Sequence, residues 1–525
     1  MSVFRLPALL FQPVLAAALF CAFSGCAVKE AGDPRMAQAD RGARAALVND
    51  LQSAQTALTA YQASGNKADL LAFNAACASF ASHWKAAGFS GPVVLKTGSG
   101  TYRIGINTTF GTYNPARLER ILTADQLPNK QLIPEAAAAG WGGAVVGVER
   151  PENPRRNLYP DHGVSVPATS VLNFTKETGG ETGVLFSLWD PGVRDSLRIA
   201  GREHPLAADF GLPFAFYPPS GPQGFLGMLR PGRYEKFRGL YLMQPYDPDK
   251  VPLLFVHGLM SSPQMWLPVL AEFEKDPELR DRFQLWVYGY PTGDPIAYLG
   301  HQLRESLAAM RKRYPETRDL VVMSHSLGGL LTQLQVVDPG MSLATAIFGS
   351  EAETILAASD SEILRDSLVF KPDPHIRRVV FVATPHTGAP MATNFIGRLG
   401  SMLIRLPSDL FSTSVKKDMQ IAFRRAGIKG SSVPNVIVGL DPRSPLLKAL
   451  NTRRIPVPYH SIIGVATKPA EPLKDTSDTV VPYWSSHLNG ALSEKIVDAT
   501  HEKISTTPAA IAEMKRIAKI ALEEL

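Results

Sequence analysis

Ser326 sits in VVMSHSLGG, residues 321–329, and is followed in the chain by Asp475 and Asp478 and accompanied by His460, His487 and His501. These types can perform nucleophilic acyl chemistry. A serine hydroxyl is a poor nucleophile at its free pKa; it needs a base beside it, an acid that orients the base, and an open approach for a carbonyl carbon. A tight strand-to-helix turn gives that approach by lifting one side chain off the sheet edge. Such a turn strains the nucleophile and crowds the positions two before and two after it, which must be small. Here they are Ser324 and Gly328. A helix beginning at Leu327 would aim its N-terminus at the site and favour negative charge there. His325 should point elsewhere and pack beside the site, because neighbours on such a turn diverge. The base should come from a later strand end.

The surrounding pattern supplies the elements that such a turn needs. VPLLFVHG (251–258) is a continuous apolar run, as in a strand covered on both faces. FQLWVYGYP (283–291), LVVMSH (320–325), RRVVFVATP (377–385), SIIGVA (461–466) and KIVDAT (495–500) read as further strands. Met265–Lys275, Ile296–Tyr314, Leu327–Val337 and Pro508–Leu525 read as helices between or after them. Strands alternating with helices imply a mostly parallel sheet flanked by helices, an α/β class. Two long insertions interrupt it, 339–376 and about 386–458. The second is apolar through Phe395, Ile396, Leu399, Met402, Leu403, Ile404, Leu406, Leu410 and Phe411. It is a helical cap over the serine, ordinary core, or both.

Residues 246–525 resemble the α/β-hydrolase superfamily, specifically its lipase-like esterases. The resemblance rests on four features in order: Phe255-Val-His-Gly-Leu259, Ser324-His-Ser-Leu-Gly-Gly329, Ser477-Asp-Thr-Val-Val-Pro482, and His501. Each is weak alone; together, each at an expected strand end, they are specific. The resemblance implies an α/β-hydrolase fold and a triad of Ser326, His501 as base and Asp478 as acid. Asp478 is preferred over Asp475 because Asp-x-Val-Val-Pro is the pattern carried over, with Thr479 where the family often has Gly. His460 precedes the acid, and His487 follows it closely before the last strand. Ser324 departs from the family's Gly-x-Ser-x-Gly, adding one small side chain. The resemblance also implies an oxyanion hole from the backbone N–H groups of Leu259 and Leu327, with the His257 side chain a structural turn element. His386, in Thr384-Pro-His-Thr-Gly388, is read as a local loop hydrogen-bonder. No metal and no cofactor are expected.

The rest of the chain reads differently. Arg5, an apolar run from Leu6 to Phe23, and Phe23-Ser-Gly-Cys26 resemble a bacterial lipoprotein signal, residues 1–25, with Cys26 the lipidated first residue of the mature chain. Phe23 stands where that signal usually has Leu. An ordinary cleaved signal is the alternative. By resemblance to Gram-negative lipoproteins, Ala27, where an Asp would retain the chain at the inner membrane, implies the outer membrane, and two acyl chains suffice for stable anchoring. Residues 26–90 are a tether and a helical hairpin, whose apolar positions include Leu47, Leu51, Leu58, Phe73, Cys77, Phe80 and Trp84. Residues 91–245 are Gly- and Pro-rich with strand-like alternation, a β-rich accessory region; Thr169–Thr175 and Gly183–Trp189 read as a hairpin.

Of three cysteines, only Cys77 would remain unmodified in the mature chain, which leaves no intramolecular disulfide, and its apolar helical setting marks it as core. The net charge of +6 is spread without a Lys/Arg block, which argues against a nucleic-acid partner. The expected activity is hydrolysis of carboxylic esters, of lipids or other acyl compounds, at the cell envelope. An acyltransferase using the same triad, and a non-catalytic binding protein on a hydrolase fold, are the competing readings.

Overall fold

Branched and aromatic residues in short unbroken runs make strands that must be buried on both faces, and this is what the C-terminal half contains. The computed structural model describes residues 40–525 apart from 99, 178–179, 200, 219–222, 359–361, 391–434 and 467–471. The chain divides into two compact units, residues up to 116 with 170–189, and residues 117–169 with 190–525.

In the first unit, helices Asp40–Ser64 and Lys67–Ala86 pack antiparallel, as the hairpin pattern requires. Asn66 caps the second by accepting from Ala68 N–H at 3.0 Å. Phe73, Cys77, Phe80 and Trp84 are buried on one face. Phe80 and Trp84 both meet Phe186, with ring centroids 5.3 and 5.5 Å apart. Strands Val93–Thr97 and Gly100–Asn107 pair antiparallel, and the latter runs parallel to Thr182–Trp189.

The second unit holds a seven-stranded sheet. Its strands in chain order are β1 (Gly239–Leu242), β2 (Val251–Val256), β3 (Phe283–Gly289), β4 (Leu320–His325), β5 (Ile376–Val382), β6 (Tyr459–Gly464) and β7 (Ser493–Val497). The spatial order is β1-β3-β2-β4-β5-β6-β7. Only β1 is antiparallel; it pairs with β3 and lies ahead of residue 246. The order reverses between β2 and β4, so the carboxyl ends of these strands border the crevice where α/β folds bind ligands.

Alternate residues of each strand feed two cores. Leu254, Val256, Trp286, Val322, Val379 and Phe381 face α2 (Ile296–Arg313) and α3 (Leu327–Val336). Leu253, Phe255, Val321, Met323, Val380, Val382 and Ile462 face α1 (Leu267–Glu274) and α4 (Pro508–Glu524). The period-2 pleat explains the division. Segments 117–169 and 190–217 contribute Leu127, Val146, Val148 and Phe214 to the second core.

Between β4 and β5, the described residues of the 339–376 insertion form three short α-helices, with a 3-10 turn after the first, before β5 begins at Ile376. Of the 386–458 insertion, the described ends pack as core, with Val436, Ile437, Leu446 and Leu450 buried among the sheet residues. Its central apolar residues, Phe395 to Phe411, lie outside the described residues, as do the 1–25 signal and Cys26. Among the described residues no helix is long and apolar enough to cross a membrane.

Candidate active site

β4 ends at His325 and α3 begins at Leu327, so Ser326 is the single residue of the turn and the N-cap of α3. Its φ of 54° and ψ of −123° lie in a region that L-residues rarely adopt, a strain of about 1–3 kcal/mol that neighbouring structure must hold in place. The close contacts show how it is held. A Cβ at Gly328 would lie 2.6 Å from the carbonyl oxygens of Val256 and His257, and one at Gly329 would strike Thr384. A Cβ at Gly258 would lie 2.9 Å from the Ser326 Cβ. Glycine is therefore required where the end of β2 and the start of α3 press on the turn. The serine at 324 is accommodated differently: its Oγ donates to the Val380 carbonyl on β5 at 3.2 Å.

His501, just past β7, places Nε2 2.9 Å from Ser326 Oγ. Its Nδ1 lies 2.6 Å from Asp478 Oδ2. A carboxylate can only accept there, so Nδ1 carries the proton and Nε2 presents its lone pair to the serine hydroxyl. Asp478 follows β6 and is 1% exposed. Its other oxygen accepts the N–H groups of Val480 and Val481 at 2.9 and 2.7 Å. The turn that brings these amides round has Thr479 at φ 86°. The His501 backbone is clamped as well: its N–H donates to the Asp478 carbonyl at 2.8 Å, and its carbonyl accepts from His325 Nε2 at 2.9 Å.

The rival residues stand apart. Asp475 is exposed, in a short 3-10 turn. His460, at the start of β6, bonds Arg378 and Ser493. His487 bonds Glu494 and Asn489. His386 bonds Gln333 Oε1 at 2.9 Å and packs edge-on to Phe381. Burial pushes the His325 and His386 imidazoles down to about 3 and that of His257 to about 4, so all three are neutral near pH 7. His325 lies 4.8 Å ring to ring from His501.

Leu327 N–H is the first amide of α3, a position with no acceptor inside the helix. Leu259 N–H follows Gly258, which abuts Ser326. Among the described residues neither amide is given to another backbone acceptor.

Tyr290 and Thr292, which bond the turn that carries Leu259, carry no sequence signal of that role. The only trace of them in the sequence is a Tyr-Pro-Thr-Gly-Asp-Pro run closing a strand.

Residues 253–513 match the family model described as the alpha/beta hydrolase family. This part of the chain belongs to the α/β-hydrolase superfamily. A search of curated proteins returned no relative. Among solved structures, the chain is similar to a lipase of Bacillus licheniformis. At 16% identity the match to its propeptide form has a TM-score of 0.33 and covers 52% of this chain and 51% of that one. For the mature form the TM-score is 0.32, at 16% identity over 53% of this chain and 97% of that one. The chain thus spans about half the length of the first of these. A lipase of Staphylococcus hyicus is 13% identical over 53% of this chain and 96% of its own, with a TM-score of 0.31.

Proposed function

We propose that this α/β hydrolase cleaves carboxylic esters through a Ser326–His501–Asp478 triad. The observation that carries the reading is the relay of 2.9 and 2.6 Å contacts from Ser326 Oγ through His501 to Asp478, at the end of a strained strand-to-helix turn. Ser326 Oγ attacks the acyl carbon while His501 Nε2 takes its proton. The carbonyl oxygen becomes an oxyanion facing the amides of Leu259 and Leu327. Collapse breaks the bond to the alkoxide leaving group, which receives the proton from His501 and departs as an alcohol. Water then attacks the acyl-enzyme, giving its proton to His501, and the acid is released as Ser326 regains its hydrogen. Asp478 keeps His501 in the working tautomer and stabilises its imidazolium.

An apolar acyl group is the preferred substrate. Met260, in the turn after Leu259, is 41% exposed, and Phe225, in the short helix Gln223–Leu229, is 39% exposed. Gly224 of that helix lies directly against the Met260 carbonyl, so the backbone bearing Phe225 adjoins the turn that follows Gly258, the residue against Ser326. Lipid esters at the outer membrane, reached by a chain anchored through acylated Cys26, fit this reading and the Phe23-Ser-Gly-Cys26 sequence.

The test is a panel of esters and phospholipids of graded acyl length, offered with and without alcohol acceptors to wild type and Ser326→Ala. The proposal expects free acid as product, a preference for medium or long chains, and loss of turnover in Ser326→Ala. Turnover that survives the substitution removes Ser326 from the mechanism. Acyl transfer to the alcohol in place of acid release makes the protein an acyltransferase.

A further inference from the structure

We propose that Thr292 and Tyr290, at the carboxyl end of β3, are positioning residues that hold the Leu259 amide in place for the oxyanion; this rests on the reading of Ser326 as the acyl-accepting nucleophile. An amide stabilises a developing negative oxygen only if it is fixed before the charge appears, since reorientation during the reaction would consume the gain. The turn carrying Leu259 has one long backbone bond of its own, from the Ser261 N–H to the Gly258 carbonyl at 3.4 Å. Met260, the residue after Leu259, sits at φ 57°, in the left-handed region that costs a non-glycine residue about 1–2 kcal/mol. That single long bond leaves the strain at Met260 to be held by bonds from outside the turn.

Thr292 and Tyr290 supply those bonds. Thr292 Oγ1, buried, accepts the Met260 N–H at 3.2 Å. Tyr290 Oη donates to the His257 carbonyl at 2.6 Å. The Tyr290 N–H points at His257 Nε2 at 3.4 Å, and the two rings stack 4.3 Å apart at 17°. Because Nε2 accepts, the proton of His257 is on Nδ1, where it donates to the Gly258 carbonyl at 3.0 Å. The carbonyls of His257 and Gly258 and the amide of Met260 are thus all committed. The Leu259 N–H, in their midst, is left for substrate.

The brace is itself anchored. Arg238 donates to buried Asp294 at 3.1 Å, and Val436 N–H donates to the Gly293 carbonyl at 3.3 Å. Gly293 lies so close to the Met228 carbonyl that a Cβ there would come within 1.9 Å of it. The segment Thr292–Asp294 therefore cannot slide away from the turn.

Thr292→Val keeps shape and removes the acceptor; Thr292→Ser keeps the acceptor. Tyr290→Phe is the second variant, should Thr292→Val fail to fold. Steady-state kinetics on a soluble short-chain ester should show kcat lower by about 10- to 100-fold in Thr292→Val, with KM within about twofold and near-full rescue in Thr292→Ser. Affinity for a boronic acid, which forms a tetrahedral anion on the serine, should fall in step with kcat/KM. The proposal is overturned if kcat stays within about twofold of wild type, or if it falls without rescue by serine and without loss of boronate affinity. Wild type is assayed alongside for turnover and for fluorophosphonate labelling of Ser326. If wild type shows neither, the hydrolase reading fails and the brace falls with it; if wild type shows both and Thr292→Val matches it, only the brace fails.

Discussion

Replacing Asp478 by Asn probes the relay at its buried end. The carboxylate receives three N–H groups: His501 Nδ1–H on one oxygen, and Val480 and Val481 on the other. An Asn can keep the two backbone bonds only by turning its oxygen toward Val480 and Val481. Its NH2 then faces His501 Nδ1, and two donors cannot meet at 2.6 Å. The imidazole must shift its proton to Nε2, the atom 2.9 Å from Ser326 Oγ. It then presents a donor where a base is needed, and nothing stabilises an imidazolium. The expected loss is about 10⁴-fold in kcat, equivalent to about 5.5 kcal/mol of barrier, with little change in KM. The assay is initial-rate hydrolysis of a soluble nitrophenyl ester by wild type, Asp478→Asn and Asp475→Asn, with circular dichroism to establish folding. Asp475→Asn, exposed, should match wild type. A loss under about tenfold in a folded Asp478→Asn protein would refute the tautomer argument and with it the role of Asp478.

Three further outcomes follow from other contacts. Gly328→Ala forces a Cβ to within 2.6 Å of two carbonyl oxygens; urea unfolding should show a loss of about 1–3 kcal/mol, with activity falling further because Ser326 is displaced. His325→Leu removes the donor to the His501 carbonyl, while His325→Gln can keep an N–H near the Nε2 position; kcat should fall about tenfold in the first and recover in the second, since a net hydrogen bond is worth about 1 kcal/mol. Burial pushes the Glu274 carboxyl up to about 7, with Lys250 and a bond from Gln244 only partly opposing it. The folded protein then holds a proton that the unfolded chain releases above about 4.5, so stability falls as pH rises from about 4.5 to 7. That loss is on the order of 3 kcal/mol in urea titrations at the two ends of the window, and Glu274→Gln should flatten it.

Much of the hydrolase fold was legible because its central strands, β2 and β4 among them, are nearly unbroken apolar runs, and burial on both faces of a parallel sheet writes such runs into the sequence, whereas β7 (Ser493–Val497) is polar and largely exposed. Val251–Val256 and Leu320–His325 fall within one or two residues of the expected ends. β1 was not legible: Gly239–Leu242 is a four-residue antiparallel edge strand whose pairing with β3 leaves no periodic mark. The chemistry-bearing residues could be singled out because a nucleophile turn needs small neighbours at fixed offsets, which Ser324 and Gly328 provide. Contacts made across the sheet edge leave no such offsets. Nothing in Tyr290-Pro-Thr292 indicates that its hydroxyls reach 33 residues back in the chain to His257 and 32 back to Met260. The bond from His325 to the carbonyl of His501 is equally silent in sequence, although a position beside the site was expected for that ring.

The central claim is that Ser326 Oγ, deprotonated by His501, is the atom that bonds to the acyl carbon. Its most direct test is mass spectrometry of the protein after treatment with a fluorophosphonate. One adduct is expected, on the peptide containing Ser326, absent from Ser326→Ala and strongly slowed in His501→Ala. An adduct on any other residue, or labelling of Ser326 at an unchanged rate without His501, would contradict it.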